Sequence, residues 1–172
     1  YTMSLQIRKE LKDYKALGNI LNLMGVVHAK RKRYRRAMKC FRDAVKLRKA
    51  VLPDDAIDIA ETLHNIGHCA AKQGKLVLAM ESYKEAYDIK TNTLGLDNLS
   101  SAQTLHCIGM LHEQKEDHEE AKQCYQDALD VRRNQCGNES LEVAYSLHSL
   151  GKVFVYQKEF ENAKNNITEA LD

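Results

Sequence analysis

The stretch AETLHNIGHCAAKQG, residues 60–74, decides the fold because its pattern returns along the whole chain. Its central glycine, Gly67, has counterparts at a constant spacing of 42 residues, at Gly25, Gly109 and Gly151. Each glycine has a leucine four residues before it, an alanine twelve residues after it and a bulky residue sixteen residues after it. A pattern kept this strictly indicates repeats that cannot cover their own apolar faces and must stack on their neighbours.

Each repeat is predicted to form two antiparallel helices. Apolar residues recur every three or four positions in the quoted stretch, and again in VLAMESYKEAYDI, residues 77–89. Residues 73–75 supply the tight turn between the two helices. Glycine and alanine at the shared positions allow two helix axes to approach to about 8–10 Å, where a larger side chain would overpack.

This order of residues resembles the tetratricopeptide repeat: leucine, two residues, an apolar residue and glycine, then alanine, an aromatic residue and alanine. The resemblance covers nearly the whole chain and implies an all-α fold, a right-handed superhelical solenoid of antiparallel helix pairs. The usual repeat of the family has about 34 residues. The longer repeat here, with loops such as LGLDN and LPDDA, is similar to kinesin light chain and its relatives. The family's first-helix tryptophan is leucine here, and its repeat-ending proline is absent.

The repeat spacing also predicts the domain organisation. We expect a single solenoid over residues 1–172, divided into the second helix of a truncated repeat (1–12), three repeats (13–54, 55–96 and 97–138) and an incomplete repeat (139–172). Helix ends are expected at Pro53, Gly95 and Gly137, and first helices are expected to begin at Asp13, Asp55, Asp97 and Glu139. Because both ends fall inside a repeat, we expect the sequence to belong to a longer array.

Composition and motifs restrict the class of protein. No apolar run approaches the roughly 18 residues that a membrane span requires. The five cysteines show neither CxxC nor metal-ligand spacing, which indicates a reducing compartment, and we expect a cytoplasmic protein. The sequence lacks a phosphate-binding loop, a nucleophile elbow and HExxH. We therefore expect no catalytic activity, no cofactor and no metal.

The resemblance also implies a binding surface, because the first helix of each tetratricopeptide repeat lines a concave groove. Carrying the groove positions over residue by residue gives the following ligand-binding candidates: Asn19, Asn22, Val26, Glu61, His64, Asn65, His68, Lys72, Gln103, His106, Cys107, Met110, Glu113, Tyr145, His148, Ser149 and Lys152. Side-chain amides can pair with a peptide backbone, and Met110 can supply a shallow apolar contact. This surface predicts an interaction scaffold or adaptor that binds a peptide or helical segment of a partner protein.

Three of these candidates, His64, His106 and His148, share one position of the repeat. Neighbouring helices about 8–10 Å apart hold such rings too far apart to share one ion with bonds near about 2.1 Å, which disfavours a metal site. A second hypothesis is a groove that gains positive charge below about pH 6.5.

A strongly basic segment departs from the repeat. Eleven Lys or Arg residues lie between His28 and Ala50 against Asp43 alone, giving this segment a charge of +10 and the remainder −8. The predicted basic patch comprises Lys30, Arg31, Lys32, Arg33, Arg35 and Arg36. Arginines at the start of the second helix oppose its dipole, so local helix stability does not explain them.

Several interpretations of this segment stay open. It can be a solvated face beside an acidic neighbour, or it can dock an acidic protein segment. A third interpretation is direct binding of RNA or an anionic membrane through the surface 30–49, although the lack of nearby aromatic platforms disfavours nucleic acid. Finally, the array can serve as the sensor or oligomerisation arm of a larger multidomain protein.

Overall fold

The computed structural model describes the backbone of residues 2–53 and 56–171 and the side chains of residues 13–53 and 56–171. This part of the chain contains no strand, which confirms the all-α prediction. Its eight helices are α1 (Thr2–Lys30), α2 (Tyr34–Lys49), α3 (Ile57–Ala71), α4 (Leu76–Leu94), α5 (Leu99–Gln114), α6 (His118–Cys136), α7 (Leu141–Tyr156) and α8 (Phe160–Glu169).

The chain divides into two compact units, Tyr1–Ile89 and Lys90–Asp172, called here the N-terminal and C-terminal units, and the boundary falls inside α4. Short turns of three or four residues join α1 to α2, α3 to α4, α5 to α6 and α7 to α8. In the N-terminal unit, Phe41 of α2 and Ile59 and Ile66 of α3 form part of the core. In the C-terminal unit, Tyr125 of α6 packs with Leu150 of α7.

The repeated glycines serve the packing role that their spacing predicts. A Cβ atom on Gly25 would lie 2.5 Å from the ring of Phe41, sixteen residues further on. The same addition on Gly109 would lie 2.8 Å from Tyr125. Since real Cβ contacts are rarely shorter than about 3.4 Å, only glycine allows these side chains to cross the first helix so closely.

The turns inside the helix pairs share a left-handed residue. Gly74 has a φ angle of 72°, as the predicted tight turn requires. The equivalent positions of the other repeats are Lys32, Glu116 and Lys158, with φ angles of 57°, 64° and 64°. Residues with a Cβ atom are strained in this conformation, so three of the four turns carry a backbone cost that glycine would avoid.

Two of the three expected helix ends are found, at Gly95 and Gly137, whereas α2 ends at Lys49, four residues before Pro53, and the helix starts are displaced. α4 ends before Gly95 and α6 ends before Gly137, both in left-handed backbone conformations. At the starts, the capping oxygen belongs to Asn98 for α5 and to Ser140 for α7, one residue after the expected acidic positions. Short side chains directly before the first helical turn reach its free N–H groups better than residues further out. Asp55 lies outside the described residues.

The predicted division at residues 12 and 13 is not found, because α1 runs without a break from Thr2 to Lys30. The position that holds Pro53, Gly95 or Gly137 in later repeats holds Leu11 here. Leucine favours helix and supplies no left-handed turn, so nothing ends the helix at this point. Residues 2–12 therefore extend the first helix.

Candidate functional site

Several predicted binding residues line one open pocket of the N-terminal unit. This groove pocket has a cavity volume of about 190 Å³, and its walls are Val26, Ala29, Lys30, Phe41, Asn65 and His68. Val26, Asn65 and His68 are predicted groove residues, and Lys30 comes from the predicted basic patch. The pocket is smaller than the roughly 300–1,000 Å³ of sites that enclose a small molecule. Its size suits a single side chain.

The lining of the groove pocket combines apolar and polar side chains. Val26, Ala29 and Phe41 supply the apolar surface. The amide of Asn65 donates to Asn22 Oδ1 over 3.4 Å, a long bond that a ligand can readily replace. Burial, followed by the nearby Lys72, lowers the pKa of His68, so its imidazole is neutral near pH 7 and offers one donor and one acceptor.

The other predicted residues of the N-terminal unit differ in how far they are engaged. Asn19 accepts a hydrogen bond of 2.7 Å from Arg48. The ring of His64 lies edge-on to Tyr83, with centroids 5.1 Å apart. Glu61 and Lys72 are exposed. Of the predicted residues in this unit, Val26, Asn65 and His68 line the groove pocket, together with Lys30 of the basic patch.

In the C-terminal unit an ion pair stands at the positions that form the groove pocket. Glu113 Oε1 lies 2.5 Å from Lys152 Nζ, and the Tyr125 hydroxyl donates to Glu113 Oε2 over 2.8 Å. Burial, together with the bond to Glu113, raises the pKa of Tyr125. In the repeat, Glu113 corresponds to Ala29 and Lys152 to His68. At the positions where the N-terminal unit has an open pocket, the C-terminal unit thus has the ion pair between Glu113 and Lys152.

His106 does not face a ligand as predicted, because only 3% of it is exposed. Its ring lies 4.7 Å from that of Tyr125 and 5.1 Å from that of Tyr145, and Arg132 Nη1 lies 3.4 Å from its Nδ1. Burial, followed by the Arg132 and Lys152 cations, lowers the pKa of His106 to about 3. The hypothesis that all three shared histidines gain charge below about pH 6.5 is therefore wrong for this residue.

Ser149 is also buried and donates to the carbonyl of Tyr145 over 3.1 Å, so it too is withdrawn from the predicted surface. The remaining predicted residues of this unit keep some exposure: Gln103, Met110, Tyr145 and His148 are exposed, and Cys107 is half-buried. Among the described residues, no group of three or more His, Cys, Asp or Glu side chains is placed to hold a metal ion.

The predicted basic patch is exposed throughout. Lys30 ends α1, residues 31–33 form the turn, and Arg35 and Arg36 lie in the first turn of α2. Arg48, which the sequence places in the same basic segment, is only 3% exposed. Arg48 packs between α2, α1 and α3, so it is not part of the exposed basic surface.

Arg48 reveals a set of buried cations that sequence reasoning missed. Arg48, Lys90 and Arg132 occupy one position of the repeat, and all three are buried. Each donates to a hydroxyl fourteen residues later and to a carbonyl ten residues later; the hydroxyls are those of Thr62, Thr104 and Ser146, and the carbonyls are those of Asp58, Ser100 and Glu142. Their common spacing of 42 residues is the sequence feature from which these buried cations could have been predicted.

Helix pairs with repeated crossing glycines define a helical-repeat protein. The tetratricopeptide repeat family matches residues 16–92, 58–134 and 100–172. The chain belongs to this family, which confirms the resemblance drawn from its sequence. No curated protein matches it.

Solved structures with kinesin-light-chain-like repeats share the fold. BtubC (BKLC) from P. vanneervenii is similar with a TM-score of 0.84 and 19% identity, over 90% of this chain and 61% of that one. A Podosopora anserina protein described as a kinesin light chain, with nearly identical TPR-like repeats, is similar with a TM-score of 0.80 and 13% identity, over 91% of this chain and 74% of that one.

A Rap protein complexed with Competence and Sporulation Factor is also similar, with a TM-score of 0.74 and 19% identity. That match covers 90% of this chain and 42% of the Rap chain. The present chain thus spans less than two thirds of BtubC and less than half of Rap.

Within the described residues, none of the helices is both long and apolar enough to cross a bilayer.

Proposed function

We propose that this protein is an interaction scaffold that binds a peptide or helical segment of a partner protein in the groove of its N-terminal unit. One apolar side chain of the partner enters the groove pocket, against Val26, Ala29 and Phe41. Asn65 and His68 pair with polar groups of the bound backbone, and the Lys30 ammonium favours an acidic neighbour of the anchoring residue.

The observation that carries this proposal is the contrast between equivalent positions of the two units. Glu113 and Lys152 bond to each other in the C-terminal unit, whereas Ala29 and His68 leave a cavity of about 190 Å³ in the N-terminal unit. An open pocket leaves part of its apolar lining in contact with water, which lowers the stability of the free protein, so stability alone does not explain it. The complex of the Rap protein with Competence and Sporulation Factor supports a binding role for this fold.

The same contrast supplies the test. A double variant, Ala29→Glu with His68→Lys, is designed to build the C-terminal unit's ion pair inside the groove pocket. A random-peptide phage library is selected against the unaltered protein, and the affinity of each selected peptide is measured for both proteins by calorimetry. We expect the double variant to bind at least about tenfold more weakly, a loss of about 1.4 kcal/mol.

A matched control carries the same two charges outside the pocket, as Ala50→Lys with Val77→Glu at exposed positions of the same unit. Its affinity should stay within about twofold of the unaltered protein. Selected peptides that bind the filled pocket as well as the open one would remove the groove pocket from the binding surface, and failure to select any peptide would count against the proposal itself.

A further inference from the structure

A second pocket of the N-terminal unit lies between α2 and the turn that joins α3 to α4. This outer pocket has a cavity volume of about 320 Å³ and is lined by Arg35, Met38, Lys39, Arg42, Asp43, Gln73 and Lys75. The core side of α2 carries Ala37, Phe41 and Ala44. At about 100° per residue, Arg35, Lys39 and Arg42 project from the other side of the helix.

The charge of the outer pocket is not balanced by the protein. Its lining contains four cations, Arg35, Lys39, Arg42 and Lys75, and one carboxylate, Asp43. The four cations are exposed, and within the described part of the chain none of them forms an ion pair. Crowding like charges on one surface is unfavourable without a counter-charge, so the pocket favours an anionic partner.

The equivalent surface of the C-terminal unit has the opposite character. Arg35 corresponds to Glu119, Lys39 to Gln123, Arg42 to Gln126 and Lys75 to Glu159. Gln157 Nε2 donates to Glu119 Oε1 over 2.6 Å, which joins the two sides of this surface. Since the repeat scaffold tolerates neutral and acidic side chains at these positions, the cations of the N-terminal unit are not required by the fold.

The shape of the basic surface favours a protein segment over nucleic acid. Arg35, Lys39, Arg42 and Lys46 form one stripe that extends about 16 Å along α2. Buried Met38 adds an apolar contact to the pocket. The aromatic side chains of α2 offer no stacking platform for a base, because Phe41 is buried in the hydrophobic core and Tyr34 packs against it.

We infer that the outer pocket and its stripe dock an acidic segment of a partner protein, one whose carboxylates pair with Lys39, Arg42 and Lys75 around an apolar residue on Met38. This surface is separate from the groove pocket. The scaffold thus has two distinct docking surfaces in the N-terminal unit, one mainly apolar and one cationic.

The test uses a fluorescein-labelled peptide of Asp and Glu residues with a central Leu, measured by fluorescence anisotropy. The variant Lys39→Glu, Arg42→Glu, Lys75→Glu should bind it at least about tenfold more weakly. The control Lys115→Glu, Lys158→Glu, Lys164→Glu makes the same change of net charge at exposed positions of the C-terminal unit. Its affinity should stay within about twofold of the unaltered protein.

Further arms separate this inference from its alternatives. The groove variant Ala29→Glu with His68→Lys should keep its affinity for the acidic peptide, so each of the two surfaces can fail alone. Equal loss in the charge-reversal variant and its control would overturn the inference. Tighter binding of a mixed-sequence RNA oligonucleotide or a phosphatidylserine vesicle than of the peptide would also overturn it, provided that the charge-reversal variant loses this binding. Self-association of the protein through this surface, measured by sedimentation, would overturn it as well. Circular dichroism checks folding, and replacing the three cations by Gln repeats the test if reversal unfolds the protein.

Discussion

Replacing Gly25 by alanine should destabilise the protein, although alanine is the better helix former. The added Cβ would lie 2.5, 2.6 and 2.8 Å from three ring atoms of Phe41, against a preferred carbon–carbon separation of about 3.5–4.0 Å. The ring must therefore move by roughly 1 Å. Only 1% of Phe41 is exposed, so a shift of its ring must be taken up by the neighbouring core side chains or by the groove pocket that it lines.

Two opposing contributions set the magnitude. Overpacking a buried site costs about 1–3 kcal/mol, whereas glycine to alanine inside a helix gains about 1 kcal/mol. We expect Gly25→Ala to lower the free energy of unfolding by about 1 kcal/mol. Gly18→Ala is the control in the same helix, because its Cβ would approach no described atom more closely than 3.2 Å. The later repeats carry alanine at this position, so Gly18→Ala should be neutral or stabilising.

Urea denaturation followed by circular dichroism measures both effects, and Phe41→Val supplies the decisive background. Valine ends at its γ carbons, and the three clashing atoms are Cδ1, Cε1 and Cζ of the ring. With the clash removed, Gly25→Ala should change sign and stabilise by up to about 1 kcal/mol. The reasoning is refuted if Gly25→Ala has the same effect in both backgrounds.

Two further predictions concern the turns and the buried histidine. Glu116→Gly should raise the free energy of unfolding by up to about 1 kcal/mol by relieving a left-handed residue, and Gly74→Ala should lower it by a similar amount; urea denaturation that ranks them otherwise would contradict the strain. The pKa of His106 is about 3 in the folded protein and about 6.5 in the unfolded chain. Between pH 3 and pH 6.5 the unfolded chain therefore binds more protons at this residue than the folded protein does. Stability should therefore fall by about 2 kcal/mol between pH 7 and pH 5 through this residue, and His106→Asn should lack that part of the slope in urea titrations at the two pH values.

The fold could be predicted from the sequence because its packing positions repeat. Glycine at 25, 67, 109 and 151 has one steric reason in every repeat, and the bulky partner sixteen residues later is always within reach of it. The ends of α4 and α6 could be predicted as well, since Gly95 and Gly137 adopt the left-handed conformations that glycine allows. The continuous α1 was missed because a periodic pattern assigns Leu11 to a turn that leucine does not form.

The candidate site was harder to predict because a shared position does not ensure shared exposure. His64 and His106 are equivalent in sequence, yet His64 is half-buried and His106 is enclosed by two tyrosine rings and Arg132. The enclosing residue Tyr145 replaces Gln103 of the preceding repeat. Whether a groove position is open or closed therefore depends on the side chains of the neighbouring repeats. A comparison of equivalent positions alone does not include those neighbours.

The same dependence explains why both proposed surfaces fall in the N-terminal unit. Repeat packing requires the buried glycine, alanine and cation positions to stay constant, and it sets no demand on exposed positions. Outside the buried positions, the N-terminal unit has Ala29 where Glu113 bonds to Lys152, and Arg35 where Glu119 bonds to Gln157. One difference opens a partly apolar pocket to water and the other leaves positive charge without an ion pair, and neither improves the stability of the unit. Some differences between repeats play no part in the packing of the protein itself. These differences are the ones that can serve to bind another molecule.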